Sequence, residues 1–381
     1  MILNYSFSTV IIYVETTEDP FQKFFRSIDT MHLSYLIVGS GYRARFYARI
    51  ARTYPELFSA MFLCRSEEKA ELIQQETGIP AVWSVEEAEA FRPDFIVIAV
   101  NKTSITDVCI EWVNRGYPVL METPAGMTRE QLLQLWDLRQ SGARIAVAEQ
   151  YHRYPDMIAG LEAVAEGRIG TPGTAYLSMA HDYHGMSLIR RILLADGESY
   201  SIRGERTMHP VTETDSRSGP IPGNPVREKA RDVVWISFDS GKTALYDFSG
   251  VQYHSFIRSR HVIVRGDRGE WCDTILYCLD DNGRPVREEL APVIPDRYRE
   301  LDTALLRDER RVPKRALSMD NLQDEFAMAT MLYDMKEFLE TGKEVYPFRE
   351  ALEDAYFRIL MEEALAEPWK EIRAEKMPWM D

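Results

Sequence analysis

A glycine-rich run lies between a predicted buried strand and a predicted helix. It is Gly39-Ser40-Gly41-Tyr42-Arg43-Ala44, a GxGxxA pattern inside a strand–helix–strand unit of roughly 30 residues. The first glycine permits a tight turn, the second lets backbone amides approach a pyrophosphate, and the alanine allows close packing of helix on strand. The helix N-terminus adds positive potential. The run is predicted to bind a dinucleotide. A tight turn without a ligand is the less favoured interpretation.

The residues after the second predicted strand indicate which dinucleotide is preferred. Cys64 stands where an acid that binds the ribose 2′-hydroxyl of NAD is expected, and Arg65 and Ser66 follow it. A guanidinium can pair with a 2′-phosphate in bidentate geometry, a hydroxyl can donate to it, and Lys69 adds charge one turn later. The sequence therefore favours NADP(H) over NAD(H). A solvated helix start, with Arg65 in water, is the alternative.

The alternation of apolar strands and amphipathic helices predicts the fold class. Apolar runs at Tyr35–Val38, Phe58–Leu63 and Asp94–Val100 are separated by helical patterns, which is typical of a parallel sheet covered on both faces. We therefore expect an α/β protein with a Rossmann dinucleotide-binding domain over residues 31–155. Residues 156–381 show antiparallel hairpin signals, such as Asn282-Gly283, and are expected to form an α+β substrate and oligomerisation domain.

Composition and charge narrow the possible partners. The chain has 381 residues and a formal net charge of −15, without an extended basic stripe, so nucleic acid is not an expected partner. Its four cysteines are scattered, which indicates neither a zinc site nor disulfides and favours reduced thiols in the cytoplasm. Residues 1–30 contain an apolar stretch too short to span a membrane. They are interpreted as an N-terminal extension before Met31.

Four segments resemble the Gfo/Idh/MocA family of sugar and polyol oxidoreductases, and the resemblance runs from about Tyr35 to the C-terminus. The segments are the GxGxxA run, PDFIVIAV, RGYPVLMETPAG and VAEQYHRYP. The resemblance implies a large, open, mainly antiparallel sheet in the second domain, through which a homodimer or homotetramer would form. It also implies that Gln150 and Arg153 contact the substrate.

Two strand ends depart from the family pattern. Members usually carry Glu-Lys-Pro where this chain has Glu122-Thr123-Pro124, and often Thr-Pro where it has Val100-Asn101. Ligands of open parallel sheets bind beyond the carboxyl ends of the strands, so both segments are expected to lie beside the nicotinamide. Threonine does not titrate usefully, so it cannot replace the lysine that assists proton transfer in the family. Another residue must exchange the proton.

The segment HDYHG contains the candidate residue for this proton exchange. Family members often place a histidine at the start of a helix in the second domain, and His184 matches this position best, although no GGG-x-L-x-D motif precedes it. A nearby carboxylate such as Asp182 can orient a histidine and raise its pKa. We predict His184 and Asp182 as catalytic residues and His181 as a substrate contact. A polar surface turn is the alternative, and metal ligation is disfavoured.

Further substrate contacts are predicted after this segment. Arg190 could bind an anionic substrate, although a solvated helix face is the commoner role for such a residue. Residues 203–225 are rich in polar residues, proline and glycine and are expected to form a long loop, as lids and binding loops do. Arg206, His209 and Arg217 are its candidate contacts.

The predicted function is therefore an NADP(H)-preferring oxidoreductase acting on the CH–OH group of a sugar, polyol or related hydroxy or keto compound. Two alternatives stay open at this level. A tightly held nicotinamide could support a sugar lyase or epimerase with no net redox change, as in relatives of this fold. A non-catalytic nucleotide-binding sensor is the third possibility, favoured modestly by the missing lysine.

Overall fold

Short apolar strands separated by helices form a parallel sheet at the N-terminal side of the protein. In the computed structural model, which describes residues 32–301 and 320–380, six parallel strands are arranged in the order β3-β2-β1-β4-β5-β6. They are β1 (Leu33–Val38), β2 (Phe58–Leu63), β3 (Ala81–Val82), β4 (Phe95–Ile98), β5 (Val119–Met121) and β6 (Ile145–Val147). The order reverses between β1 and β4, the kind of switch point at which α/β sheets bind ligands.

Five helices connect these strands and cover the sheet. They are α1 (Tyr42–Thr53), α2 (Glu67–Thr77), α3 (Val85–Ala90), α4 (Ile105–Asn114) and α5 (Arg129–Gln140). Side-chain caps fix several of their starts: Ser66 accepts from the Lys69 amide at 3.3 Å, and Thr128 accepts from the Gln131 amide at 3.3 Å. These caps set where the chain leaves β2 and β5, and hence the rim of the candidate site.

A second sheet of nine strands follows, in the order β16-β15-β14-β13-β7-β12-β11-β8-β17. Only β7 and β12 pair in parallel, and the other neighbours are antiparallel. The strands are β7 (Pro172–Ser178), β8 (Tyr200–Thr212), β11 (Val226–Phe238), β12 (Thr243–Phe248), β13 (His261–Gly266), β14 (Gly269–Cys272), β15 (Ile275–Leu279), β16 (Pro285–Glu289) and β17 (Ile372–Arg373). A separate two-stranded ribbon consists of β9 (Asp215–Ser216) and β10 (Gly219–Pro220). The predicted α/β class, with a large and mainly antiparallel second sheet, is confirmed.

Four longer helices accompany this second sheet. They are α6 (Pro155–Ala165), α7 (Asp182–Leu193), α8 (Asp320–Thr341) and α9 (Phe348–Ala366). Short 3-10 helices lie at Tyr151–Arg153, Gly250–Tyr253, Asp296–Tyr298 and Pro378–Met380. Within the described residues, no helix is long and apolar enough to cross a membrane.

The prediction of a long loop at residues 203–225 is wrong for most of this segment. Its first part belongs to β8, whose thirteen residues pair with β11 from Tyr200↔Phe238 to Thr212↔Val226. Polar composition and Pro210 suggested a loop. However, β8 contacts β17 only at Ser201 and Ile202, so at Pro210 it is an edge strand, where proline is tolerated. Only the segment between β8 and β11, with its small ribbon, is a connection.

The residues from Leu33 onward form one compact unit. The domain boundary placed after residue 155 therefore stays a prediction, although Pro155 does begin α6. The interpretation of residues 1–30 as an extension falls outside the described part of the chain.

Packing of α6 on the second sheet generates a stability prediction. A Cβ atom at Gly160 would lie 1.9 Å from Cζ2 of Trp271, which is 1% exposed. Gly160→Ala is therefore expected to overpack this contact and lower the free energy of unfolding by about 1–3 kcal/mol, measured by urea denaturation. Gly250→Ala is the matched control, because a Cβ there meets nothing within 4 Å. Equal effects of the two substitutions would contradict the proposed packing.

Candidate active site

The glycine run forms the turn between β1 and α1. Gly39 has φ of +118°, and a Cβ there would lie 2.3 Å from the Ala99 carbonyl oxygen, so only glycine fits. A Cβ on Gly41 would meet nothing within 4 Å, which leaves the space above this turn open. Ala44 is fully buried and allows close helix packing. Because the first amides of α1 have no intrahelical partner, the turn fits a pyrophosphate.

The residues predicted to bind a 2′-phosphate lie at the end of the neighbouring strand β2. Cys64 is 5% exposed, and its amide donates to the Val82 carbonyl at 2.8 Å. Arg65 and Ser66 are exposed directly after it, and Ser66 is the N-cap of α2 through the Lys69 amide. The Ser66 hydroxyl can still donate, so the pair remains compatible with an incoming phosphate.

Glu122, at the end of β5, is fixed by two neighbours. Tyr47 donates to Glu122 Oε1 at 2.7 Å, and Arg43 Nε lies 3.5 Å from Glu122 Oε2. Arg43 also donates to Asp324 of α8 at 2.9 Å. Arg43 was expected to bind the cofactor. The structure instead places its guanidinium between two carboxylates, where it connects the parallel sheet to α8.

The expected nicotinamide residues follow β4 and β5. Val100 and Asn101 lie just past the end of β4, with Asn101 exposed, and Thr123 and Pro124 lie just past Glu122. Thr123 and Tyr183 lie together in the lining of one small cleft. Thr123 thus places the carboxyl edge of the parallel sheet beside the first turn of α7.

His184 is buried in a pair with Glu149. Its Nδ1 lies 2.6 Å from Glu149 Oε2, and the residues are 4% and 1% exposed. Burial raises the pKa of Glu149 to about 8, opposed by the Tyr151 amide, which donates to Oε1. Burial also lowers the pKa of His184, with Arg43 and Lys102 acting in the same direction. The expectation of a raised histidine pKa is therefore wrong, because desolvation disfavours the imidazolium.

Asp182, expected beside His184, has different partners. Its amide donates to Tyr246 Oη at 2.8 Å, and its Oδ1 accepts from the Tyr183 amide at 2.6 Å. Its Oδ2 lies 3.9 Å from Arg358 Nε. Burial raises the pKa of Asp182 to about 6, while the Tyr183 amide, Lys102 and Arg358 oppose the rise. Glu149, and not Asp182, is therefore the carboxyl group that contacts His184.

His181 belongs to a chain of phenol hydroxyls. Its Nε2 lies 2.7 Å from Tyr183 Oη, and its Nδ1 contacts Tyr253 Oη. Tyr151 donates to Tyr253 at 3.3 Å. Burial lowers the pKa of His181, and the positive charges of Lys102 and Arg43 lower it further. His181 is thus neutral and acts in this chain as donor at one nitrogen and acceptor at the other.

The other predicted substrate residues contact protein groups. Arg190, 2% exposed, donates to Asp354 at 2.6 Å and Asp196 at 2.8 Å, so its charge is used in a buried network. The other predicted residues form hydrogen bonds within the protein: Arg153 with Asp334, Arg206 with Asp232, and His209 with Thr207. Gln150 is 3% exposed, and its Oε1 has no hydrogen-bond partner among the described residues. Of the predicted substrate set, His181 is the member whose ring packs against His184, with 4.8 Å between the two ring centroids.

Several site residues were not predicted from the sequence. Glu149 could have been noticed, since it is an acid directly after an apolar strand. Tyr183 lies inside the HDYHG segment but was not singled out, and Tyr253 is 72 residues from its partner His181. Lys102 lies four residues past the end of β4, with its Nζ 4.9 Å from the Tyr183 ring centroid. Across residues 32–301 and 320–380, no three His, Cys, Asp or Glu side chains are grouped to hold a metal ion.

The glycine turn at the switch point defines a dinucleotide-binding Rossmann protein. Residues 33–149 match the model of the Gfo/Idh/MocA family, described as an oxidoreductase family with an NAD-binding Rossmann fold. The resemblance found in the sequence is confirmed over this part of the chain. No curated protein matches the chain in a sequence comparison.

Solved structures of oxidoreductases share the fold over nearly the whole chain. An oxidoreductase from Agrobacterium radiobacter, in complex with NAD+, L-tartaric acid and magnesium, is 13% identical over 90% of this chain and 98% of its own, with a TM-score of 0.67. Levoglucosan dehydrogenase in complex with NADH and levoglucosan is 14% identical over 91% and 100%, with a TM-score of 0.65. A putative NADPH-dependent oxidoreductase from Desulfitobacterium hafniense is 11% identical over 90% and 97%, with a TM-score of 0.62. At these identities the likeness shows the fold alone.

The buried Glu149 generates a prediction about pH. Burial raises the pKa of Glu149 from 4.5 to about 8, so the folded protein binds a proton that the unfolded chain releases above pH 4.5. The contribution of Glu149 to the free energy of unfolding is therefore largest below about pH 4.5 and is lost as the pH rises towards 8. Glu149→Gln removes this loss. We expect the difference in unfolding free energy, variant minus wild type, to increase by at least about 1.4 kcal/mol between pH 5 and 8, which is one pKa unit.

Urea denaturation at a series of pH values measures this difference. Glu71→Gln, at an exposed position of α2, is the control, because its carboxylate is solvated in both states and its difference should stay constant. A constant difference for Glu149→Gln as well would contradict a protonated Glu149 in the folded protein.

Proposed function

We propose that this protein is an NADP(H)-preferring oxidoreductase that transfers a hydride to or from a sugar, polyol or related hydroxy or keto compound. The observation that carries the proposal is the buried pair of His184 and Glu149 beside residues that follow the parallel strands. Glu149 lies two residues past the end of β6, and Thr123, past β5, lines one small cleft with Tyr183, which is in the same helix as His184. In this proposal, a dinucleotide turn and a proton-exchanging group would serve one reaction.

The residues assigned to the cofactor are those of the glycine turn and the adjoining strand ends. Gly39 to Ala44 would hold the pyrophosphate, with Arg43 acting mainly through its bonds to Glu122 and Asp324. Arg65 and Ser66 would hold a 2′-phosphate, and Lys69 would add a positive charge. Cys64 would line the same part of the cofactor site. Val100, Asn101 and the Glu122–Pro124 segment would surround the nicotinamide. When bound, the nicotinamide supplies or accepts a hydride.

His184 would exchange the proton that accompanies hydride transfer. At neutral pH the raised pKa of Glu149 keeps the carboxyl group protonated, and the lowered pKa of His184 keeps the imidazole neutral. Glu149 then donates to Nδ1, which leaves the hydrogen of the ring on Nε2. In reduction, Nε2 gives its proton to the substrate oxygen while Nδ1 takes the Glu149 proton. In oxidation, both transfers run in reverse.

Two ligands of similar structures support the substrate class. Levoglucosan and L-tartaric acid, the compounds named with two of these structures, both carry hydroxyl groups. The dinucleotides named with the similar structures are NAD+, NADH and, for one of them, NADPH. The preference for NADP(H) therefore rests on Arg65 and Ser66 of this chain alone. A cytoplasmic location and a homodimer or homotetramer formed through the second sheet stay predictions.

Replacement of His184 tests the proton-exchange role. His184→Ala is expected to lower kcat by at least about 100-fold, the usual contribution of a general acid or base, while the dissociation constant for NADPH stays close to that of the wild type. Steady-state kinetics over a panel of sugars and polyols, with fluorescence titration of NADPH, measures both. His261→Ala, which removes a ring bonded to Asp273, is the control. Near-normal turnover of His184→Ala would remove the assignment.

Replacement of Arg65 tests the dinucleotide preference. Arg65→Ala should weaken NADPH binding by about tenfold, roughly the value of one charge-assisted contact, and leave NADH binding unchanged, because NADH has no 2′-phosphate. Fluorescence titration with both dinucleotides gives the comparison, and NADH is the internal control. If Arg65→Ala weakened both equally, Arg65 would contact a part that they share, and the preference for NADP(H) would lose its basis.

A further inference from the structure

The hydroxyl of Tyr183 is a polar group of the site that the proposed mechanism does not use. Tyr183 is the second residue of α7, directly before His184, and the two ring centroids lie 4.4 Å apart. Tyr183 is 3% exposed, and buried polar groups are generally held by hydrogen bonds. The contacts of this hydroxyl therefore indicate what it can do for the reaction.

Tyr183 shares a small cleft with residues from both parts of the proposed site. Thr123 and Glu149 line the same cleft. Thr123 lies two residues past the end of β5, at the edge where ligands of open parallel sheets bind, and Glu149 is the partner of His184. Tyr183 is thus placed next to both the expected nicotinamide edge and the proton-exchanging pair.

Two neighbours hold the Tyr183 side chain in place. His181 Nε2 lies 2.7 Å from Oη, and the rings of His181 and Tyr183 pack edge to face with their centroids 4.7 Å apart. Lys102 Nζ lies 4.9 Å from the Tyr183 ring centroid, where the face of an aromatic ring attracts a cation. The hydroxyl is therefore held in one orientation by the protein itself, as a preorganised donor must be.

Burial also decides the protonation state of Tyr183. It raises the pKa of the phenol well above its usual range, and the charge of Asp182 raises the pKa further. The hydroxyl therefore keeps its hydrogen at neutral pH. A phenol that stays protonated does not act as a general base, but it can donate a hydrogen bond.

The reacting oxygen of the substrate is a group that needs such a donor. When a hydride is transferred to a ketone, negative charge develops on the carbonyl oxygen, and a fixed hydrogen-bond donor stabilises this charge. An alcohol oxygen also accepts a hydrogen bond, so the same donor orients the substrate for oxidation. Neither direction requires the tyrosine to release its hydrogen.

We propose that the Tyr183 hydroxyl donates a hydrogen bond to the substrate oxygen that reacts, while His184 exchanges the proton with the same oxygen. Tyr183 is then a catalytic residue that binds and polarises the reacting group. The inference rests on the proposed function, because it adds a residue to the same reaction. It also accounts for a threonine at position 123, since the phenol beside Thr123 supplies the donor.

Replacement of Tyr183 by phenylalanine tests the contact, because it removes the hydroxyl and keeps the ring that packs on His184. The substrate is the sugar or polyol of the panel with the highest kcat/KM. We expect kcat/KM to fall about 100-fold, the effect of removing one preorganised donor, while the dissociation constant for NADPH, measured by fluorescence, stays close to that of the wild type. Tyr277→Phe is the matched control, because Tyr277 is 42% exposed on β15.

A deoxy analogue of the substrate separates a direct contact from a structural effect. Calorimetric titration of the NADPH-loaded protein, which cannot accept a hydride, compares the alcohol with the compound that has hydrogen in place of the reacting hydroxyl. The alcohol should lose about three- to tenfold of its advantage in Tyr183→Phe, roughly the value of one hydrogen bond. Its advantage should be unchanged in Tyr253→Phe, which removes a contact of His181 and leaves the Tyr183 hydroxyl in place.

Two results would overturn the inference alone. The first is a Tyr183→Phe variant with near-normal kcat/KM or an unaltered advantage of the alcohol. The second is an equal loss in Tyr183→Phe and Tyr253→Phe, because the tyrosine would then act through the His181 chain without touching the substrate. If the wild type turned over no member of the panel, the proposed function would fail and the inference with it, so the two failures are distinguishable.

Discussion

The hydrogen bond between Glu149 and His184 is the interaction on which the candidate site depends. It joins the end of β6 in the parallel sheet to helix α7, which packs on the second sheet, and both side chains are almost completely buried. A buried carboxylate or imidazolium without a partner would be strongly destabilising. The pair avoids this cost because both members are neutral and share a proton. The low polarity that makes burial possible also sets the two pKa values.

Packing around the pair keeps α7 close to the second sheet. Gly185 follows His184, and a Cβ there would lie 2.6 Å from the Tyr246 ring, so any larger residue would push the helix away. Tyr246 in turn accepts the Asp182 amide in the first turn of the same helix. On the other side, Arg43 bonds to Glu122 and Asp324, which connects the parallel sheet to α8. The position of His184 therefore depends on contacts with both sheets.

Much of the fold could be predicted because it is encoded locally. The parallel strands are short apolar runs, and the GxGxxA pattern requires Gly39 for its backbone conformation and for its approach to Ala99. The error at residues 203–225 has a different origin. The pairing of β8 with β11 is a contact between distant segments, and polar composition on an edge strand is indistinguishable from that of a loop.

The site was less predictable than the fold, because its chemistry depends on side chains brought together by tertiary packing. His184 was identified, but its partner Glu149 lies 35 residues earlier in the chain. Lys102 follows a strand of the first sheet and contacts Tyr183 of α7, so no sequence spacing reveals it. Arg190 carried a plausible anion-binding signal, yet burial commits it to Asp354.

The chain of hydroxyls through His181 has a consequence for the direction of its hydrogen bonds. Tyr253 accepts hydrogen bonds from the His181 amide and the Tyr151 hydroxyl, so its own hydrogen is donated to Nδ1 of His181. Nε2 then carries the hydrogen of the His181 ring and donates it to Tyr183 Oη. The order of donors from Tyr151 to Tyr183 is thereby fixed, and the hydrogen of the Tyr183 hydroxyl is the one that this chain leaves for a group outside it.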